Sequence, residues 1–165
     1  MSKEIIWHAS KEQIRNSKLT KFIQHCKLKN YDELEKKSFS DPGWLWDNVI
    51  KFSDLKFYKP YSKILDESKG TPWTRWCIGG KTNIVLNCID RHKDKEFFNN
   101  TFIFAEREDG KESSITYKEF DKQISKIGNT LKINSFKKGD VIALYMPQFI
   151  ETYIAYFAIL KIGCV

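Results

Sequence analysis

Residues 101–160 alternate between two apolar periods, and that alternation limits the fold more than any other feature of the chain. Residues 101–107 read as a strand, Asp109-Gly110 forms a tight-turn pair, and residues 113–116 return, so a β-hairpin is predicted. Thr116-Tyr117-Lys118-Glu119 then has the form of a capping box, in which the hydroxyl and the carboxylate each satisfy a free backbone N–H. Behind it, Phe120, Ile124, Ile127 and Leu131 recur every three or four residues, the stripe of an amphipathic helix. Lys137-Lys138-Gly139-Asp140 reads as a loop, and residues 141–145 as a short, wholly apolar strand of the type buried in parallel sheets. Met146-Pro147 ends that strand, and Ile150, Ile154, Phe157, Ala158 and Leu160 stripe a second helix. A strand–helix–strand–helix order predicts an α/β core with a parallel sheet.

The residues before about position 98 have a different texture and hold all five tryptophans. Ser10 caps a short helix through Gln13, and Ser17 caps a second with Leu19, Phe22, Ile23 and Cys26 along it. Residues 31–37 read as another helical turn. Asp41 caps a helix that starts at Pro42, where a missing N–H costs nothing. Residues 54–80 show little periodicity and are punctuated by Pro60, Gly70 and Pro72. Their aromatics (Phe57, Tyr58, Tyr61, Trp73, Trp76) are expected to pin an irregular segment onto a core. Asn83 caps a helix carrying Ile84, Val85, Cys88 and Ile89. The expected organisation is therefore a mostly helical, Trp-rich region over 1–98, followed by an α/β region over 99–165.

Charge and cysteine narrow the function classes. The formal net charge is +7, from 28 basic and 21 acidic residues, but it is spread along the chain, and only Lys36-Lys37 and Lys137-Lys138 are adjacent pairs. Of the 28, 24 are Lys, so the Arg-rich stripe expected of a nucleic-acid reader is missing. Cys26, Cys77, Cys88 and Cys164 form no C-x-x-C pair, and His8, His25 and His92 do not complete metal-ligand spacing with them. Reduced, mostly buried thiols in a cytoplasmic protein are the expected state. Residues 1–10 lack the apolar core of a leader, and the apolar run 154–160 is far shorter than the ~20 residues of a membrane span, so no membrane partner is expected.

Gly79-Gly80-Lys81-Thr82 imitates the end of a phosphate-binding loop, but the glycine needed five residues before Gly80 is Arg75. A glycine turn before a helix is the simpler reading. Asp90-Arg91-His92 are consecutive, do not share a helix face, and are expected to serve a helix end rather than a triad. Asp66-Glu67 and Glu108-Asp109 lie in turn-like sequence and read as solvated. No catalytic, cofactor-binding or metal-binding residue is assigned.

Several stretches in order resemble the N-terminal part of acetyl-CoA synthetases, AMP-forming acetate–CoA ligases of the adenylate-forming acyl-CoA synthetase superfamily. These are Ser40-Asp41-Pro42-Gly43-Trp44-Leu45-Trp46-Asp47 with Phe57-Tyr58 and Pro60-Tyr61, then Pro72-Trp73-Thr74-Arg75-Trp76 leading to Gly79-Gly80. Asn83, Asn87, Cys88, Asp90, Arg91 and His92 follow, then Thr116-Tyr117-Lys118-Glu119, Lys138-Gly139-Asp140-Val141, Tyr145-Met146-Pro147, and Glu151 with residues 159–163. Trp7, Ser10, Ile14, Ser17, Leu19 and Phe22 extend the likeness to the same family and its acetoacetyl-CoA synthetase relatives.

The resemblance implies that 1–98 is an N-terminal extension and 99–165 the start of an incomplete AMP-binding (adenylating) domain. The implied parent reaction joins acetate or a short acyl acid to CoA, converting ATP with Mg²⁺ to AMP and pyrophosphate. The family's phosphate loop, adenine and metal motif, ribose-binding Asp, hinge and late catalytic Lys have no counterpart here. The matched positions Asp41, Trp73, Arg75, Asn83, Asp90, Arg91, Gly139, Asp140 and Pro147 are expected to be scaffold. The fragment is expected to bind no ATP, Mg²⁺ or CoA and to be inactive alone. Its expected partner is the remaining part of a split ligase or a full-length homologue. Two alternatives stay open: a non-catalytic partner docking on an intact ligase, and a basic nucleic-acid-binding module. The apolar stretch 155–165, with Lys161 its single charge, stops where the next parallel strand is expected to begin. Such a chain is expected to associate, or to melt with low cooperativity; sedimentation and thermal melting check this, and a sharp melt of a clean monomer counts against it.

Overall fold

The computed structural model describes residues 7–165; residues 1–6, part of the stretch read above for a leader, lie outside the described residues. About half of the chain is helical and the sheets are small. Packing divides the chain into two compact units, one of residues through Leu55 with Lys59–Gly80, the other of Lys56–Tyr58 with Lys81–Val165.

In the first unit every helix starts at a polar cap that the local sequence supplies. Helix α1 (Lys11–Asn16) opens on a capping box, the Gln13 N–H donating to Ser10 Oγ and the Ser10 N–H to Gln13 Oε1. Ser17 closes α1 and opens α2 (Lys18–His25), accepting from the Thr20 N–H at 3.0 Å. Asn30 caps α3 (Tyr31–Ser40), which runs three residues past the predicted turn. Asp41 caps α4 (Pro42–Phe52) through the Trp44 N–H at 2.8 Å, with Pro42 in the first turn. Phe22 and Leu34 are buried, and the Phe22 ring meets Phe52 edge-on at 5.3 Å.

Residues 54–80 are more regular than their sequence suggests. Strands β1 (Lys63–Asp66) and β2 (Arg75–Ile78) pair antiparallel, with Leu65 opposite Trp76 and Asp66 opposite Arg75. The strands are four residues each, too short for alternation to show, and a cross-strand Asp66–Arg75 ion pair joins them where apolar contrast is lacking. Trp76 packs edge-on against Trp46 of α4 at 6.1 Å. Tyr58, Trp73 and Trp76, expected as buried anchors, are exposed instead. Gly43 is buried because α4 crosses β1 closely there. A Cβ on Gly43 would lie 3.3 Å from Ile64 Cγ2 and 3.4 Å from Leu65 Cβ.

The second unit holds α5 (Ile84–Cys88), the hairpin β3 (Thr101–Glu106) and β4 (Glu112–Thr116), α6 (Tyr117–Ile133) and α7 (Ile150–Lys161). The hairpin register runs from Thr101 opposite Thr116 to Glu106 opposite Glu112, and its turn has Gly110 at φ +76°. The predicted capping box opens α6, with Thr116 Oγ accepting from the Glu119 N–H and Glu119 from the Thr116 N–H. Val85, Ile89, Phe98, Phe120, Ile124, Ile154 and Ala158 form one core, with Phe120 and Ile124 wholly buried. A Cβ on Gly128 would stand 3.2 Å from Ile162 Cγ2, so the missing side chain sets how closely the segment after α7 approaches α6.

The predicted parallel strand over 141–145 forms no ladder with β3 or β4. A single rung is present: the Val165 N–H donates to the Asp140 carbonyl and the Ile142 N–H to the Val165 carbonyl, both at 2.8 Å. One residue bonding to the two neighbours of its partner is the parallel pattern, and α7 forms the crossover. The α/β order therefore stands, while its parallel sheet is reduced to the Val141–Val165 rung.

Gly43→Val overpacks the α4–β1 contact and is expected to destabilise the first unit by about 1–3 kcal/mol. Gly43→Ala, whose single methyl needs a few tenths of an ångström, is expected to cost clearly less. Thermal melts of the two variants check the ranking.

Candidate functional site

The phosphate-loop look-alike is a turn whose Gly80 N–H and Thr82 hydroxyl are both engaged within the chain. Gly79 sits at φ +73°, and the Gly80 N–H donates to the Cys77 carbonyl. The Thr82 hydroxyl, which a nucleotide loop would aim at a cation, donates to the Lys56 carbonyl at 2.7 Å. Asn87 holds the same carbonyl and the Thr82 hydroxyl, each at 3.0 Å, and accepts from the Lys56 N–H at 2.7 Å. The following helix, α5, has five residues, and Arg75 at the required glycine position lies in β2 paired with Asp66. The backbone cradle that ATP phosphates require is therefore not built here. Among the described residues no group of three or more His, Cys, Asp or Glu could hold a metal. These residues do not fit an ATP–Mg²⁺ site, and no catalytic step is assigned to them.

The most concentrated electrostatics lies in the second unit, where Asp90 and Asp121 alternate with Lys93 and Lys161. Lys161 Nζ is 2.8 Å from Asp121 and 3.5 Å from Asp90, while Lys93 Nζ is 2.8 Å from Asp90 and 3.1 Å from Asp121. Burial pushes the Asp121 carboxyl up, but hydrogen bonds from Lys161 and Lys93 outweigh it and hold it below the ordinary carboxylate value. The same bonds raise Lys93 against its own desolvation. Two cations neutralise two anions with no free group aimed at a ligand, so the quartet ties the turn after α5 to α6 and α7. Asp90 thus acts as a structural ion partner, not with Arg91 and His92 as a triad, and burial with the nearby Arg91 and Lys95 charges lowers His92.

In the first unit, Tyr61 donates to Asp47 at 2.5 Å and Lys51 pairs with the same carboxylate. Burial and that bond push the Tyr61 phenol up to about 12. Arg75 and the Ser68 donors hold Asp66 well below the usual carboxylate range. Cys26 and Cys77 are pushed up by burial, the opposite of an activated thiolate. A groove of about 410 Å³ beside the hairpin carries Arg107, Glu119 and Glu151. Arg107 there stacks on Phe149 at 4.5 Å and Glu119 is engaged in its cap.

The remaining matched positions shape backbone. Asp41 caps α4; Trp73 lies in an exposed 3-10 turn (Thr71–Trp73). Asn83 caps α5 and donates to the Leu160 carbonyl at 2.7 Å, tying α5 to α7. Gly139 (φ +93°) donates to the Gly163 carbonyl, Asp140 accepts from the Lys137 N–H, and the Pro147 carbonyl accepts from Thr152. Sequence reading assigned Asp90 a helix-end role and missed its partners Lys93, Asp121 and Lys161. The one available signal was Lys161, the single charge in an otherwise apolar stretch.

Two family descriptions match the chain: "Acetyl-coenzyme A synthetase N-terminus" over residues 31–88 and "AMP-binding enzyme" over residues 87–165. The acetyl-coenzyme A synthetase of Helicobacter pylori (strain G27) is 35% identical over 150 residues, covering 87% of this chain and 22% of that protein. Its counterpart in Methanothrix soehngenii is 32% identical over 165 residues, covering 96% of this chain and 24% of that protein. The solved acetoacetyl-CoA synthetase from Streptomyces lividans superposes with a TM-score of 0.83 at 18% identity, over 96% of this chain and 25% of its own, a likeness of fold. The chain thus spans about a fifth to a quarter of the relatives it matches.

Asp121→Asn removes one anion from the quartet and is expected to destabilise the second unit by about 1–2 kcal/mol near pH 7. Because the folded carboxyl lies below its unfolded value, its contribution is full above about pH 4 and is lost as pH falls through the folded value. Urea melts across the acid range are expected to show a shallower acid loss in the variant than in the wild type.

Proposed function

Because the chain corresponds to the N-terminal portion of the acetyl-CoA synthetase family, we propose that it is the scaffold part of an acyl-CoA-forming ligase and forms no product by itself. The reaction it serves activates acetate or a short acyl acid with ATP to an acyl-adenylate, then passes the acyl group to the CoA thiol, releasing pyrophosphate and AMP. One observation carries this reading: similarity runs through both family segments, while the polar groups along them are committed to caps, turns and ion pairs.

ATP, Mg²⁺ and CoA are assigned to the polypeptide that supplies the rest of the ligase, together with the phosphate loop, the adenine and metal motif and the catalytic Lys. The partner is that polypeptide. The compartment proposed is the cytoplasm, in keeping with four free cysteines. Spread charge supports this reading over nucleic-acid binding.

The test mixes the full chain with the part of the Methanothrix soehngenii synthetase that follows its 165-residue match, and supplies acetate, ATP, Mg²⁺ and CoA. Neither polypeptide alone is expected to release pyrophosphate, and the mixture is expected to do so. Silence of the mixture sinks the proposal, and capture of an intact synthetase in its place favours a docking role.

A further inference from the structure

We infer that residues 56–58 form a strap that the Asn87 carboxamide latches onto the second unit, and that this strap opens as one step while the core stays closed. The chain enters the second unit at Lys56, leaves it after Tyr58 and enters it again at Lys81. Three residues are too few to hold a place by an apolar pattern, so the strap relies on directed bonds. Asn87 Oδ1 accepts from the Lys56 N–H at 2.7 Å, and Asn87 Nδ2 donates to the Lys56 carbonyl at 3.0 Å. One side chain thus exchanges both bonds with one residue, as a strand residue does with its antiparallel partner. A carboxamide can do this because it carries an acceptor and a donor on one carbon, whereas a carboxylate lacks the donor. The Thr82 hydroxyl donates to the same Lys56 carbonyl at 2.7 Å and accepts from Asn87 Nδ2 at 3.0 Å. The Tyr58 N–H donates to the Lys81 carbonyl at 2.8 Å.

The two sides of this latch differ in what backs them. Asn87 stands on α5, whose Val85 is buried in the core with Ile89, Phe120 and Ile124, and whose cap Asn83 is tied to the Leu160 carbonyl. The strap has far less behind it: Lys56 and Tyr58 are exposed and Phe57 is half-buried. Segments with few buried apolar contacts and exposed hydrogen bonds open at a lower free energy than the core. The flanks suit such an opening. Asp54 before the strap takes φ +52°, and Pro60 after it has no N–H to hold it down. Three of the four bonds from the strap to 81–87 meet at Lys56, so losing that residue's hold leaves the Tyr58 bond alone. Release is therefore cooperative, and it bares the Phe57-Tyr58 backbone to a protease while α5 and α6 keep their packing.

Amide hydrogen exchange on the full chain tests this directly. In the wild type the Lys56 and Tyr58 amides are expected to share one level of protection, below that of Ile124 in α6. Asn87→Ala removes both carboxamide bonds and is expected to speed exchange at Lys56 and Tyr58 by about tenfold or more, with Ile124 unchanged. Thr82→Val removes one hydroxyl bond and is expected to speed the same two amides by a smaller factor. Chymotrypsin is expected to cut after Phe57 or Tyr58 faster in Asn87→Ala, in step with the exchange. Wild-type protection at Lys56 and Tyr58 equal to that of Ile124 overturns the separate opening. Acceleration of Lys56 without Tyr58 overturns the single step. Unchanged exchange in Asn87→Ala, or equal acceleration of Ile124 in both variants, overturns the latch. If Asn87→Ala does not fold, Thr82→Val decides by the same comparison, and loss of Ile124 protection there counts against the proposal.

Discussion

A β-strand satisfies half of its backbone with each neighbour, and in the second unit one parallel rung joins Val141 to Val165 across α7. The Val141–Val165 rung fixes where α7 begins and ends, because the crossover must return the chain beside its own starting strand. Gly139 and Gly163 both take positive φ there, which lets the loop before the strand and the turn after the helix close on each other. The Asn83–Leu160 bond and the Asp–Lys quartet then hold α7 from its other side. Remove the rung and these contacts still hold a helix pair, but nothing defines the direction in which a sheet would grow.

What the sequence made legible was local. Ser10 with Gln13, Ser17, Asp41-Pro42, Asn83 and Thr116 with Glu119 each act within three residues, and each was found where the polar pattern put it. The α6 stripe was legible for the same reason, since its period is intrinsic to the helix. The β1–β2 hairpin was not, because its pairing rests on Asp66 and Arg75 across nine residues and its strands are too short to alternate. Asp90 and Lys161 lie seventy-one residues apart, a distance at which no local pattern links two charges. The strand over 141–145 was read from composition, which reports that a segment suits a sheet interior but cannot supply the neighbour that makes it a strand.

The matched positions share a physical theme. Asp41, Asn83, Asp90, Gly139, Asp140 and Pro147 all set backbone direction or join elements. The titrating groups whose values move most, Tyr61 and Asp66, are shifted by partners that also saturate them. Gly79-Gly80-Lys81-Thr82 makes the same point, since its hydroxyl is spent on the Lys56 carbonyl.

Core burial and sheet completion are separate matters in this chain. Phe120 and Ile124 are fully buried in the core that α6 shares with α5, α7 and the hairpin. The sheet-forming composition lies in residues 141–146, a segment of six uncharged residues. Such a segment is also the kind that stacks into intermolecular β-structure. Lys137-Lys138 before it and Pro147 after it limit that hazard by placing charge and a missing N–H at its borders while leaving its interior able to pair.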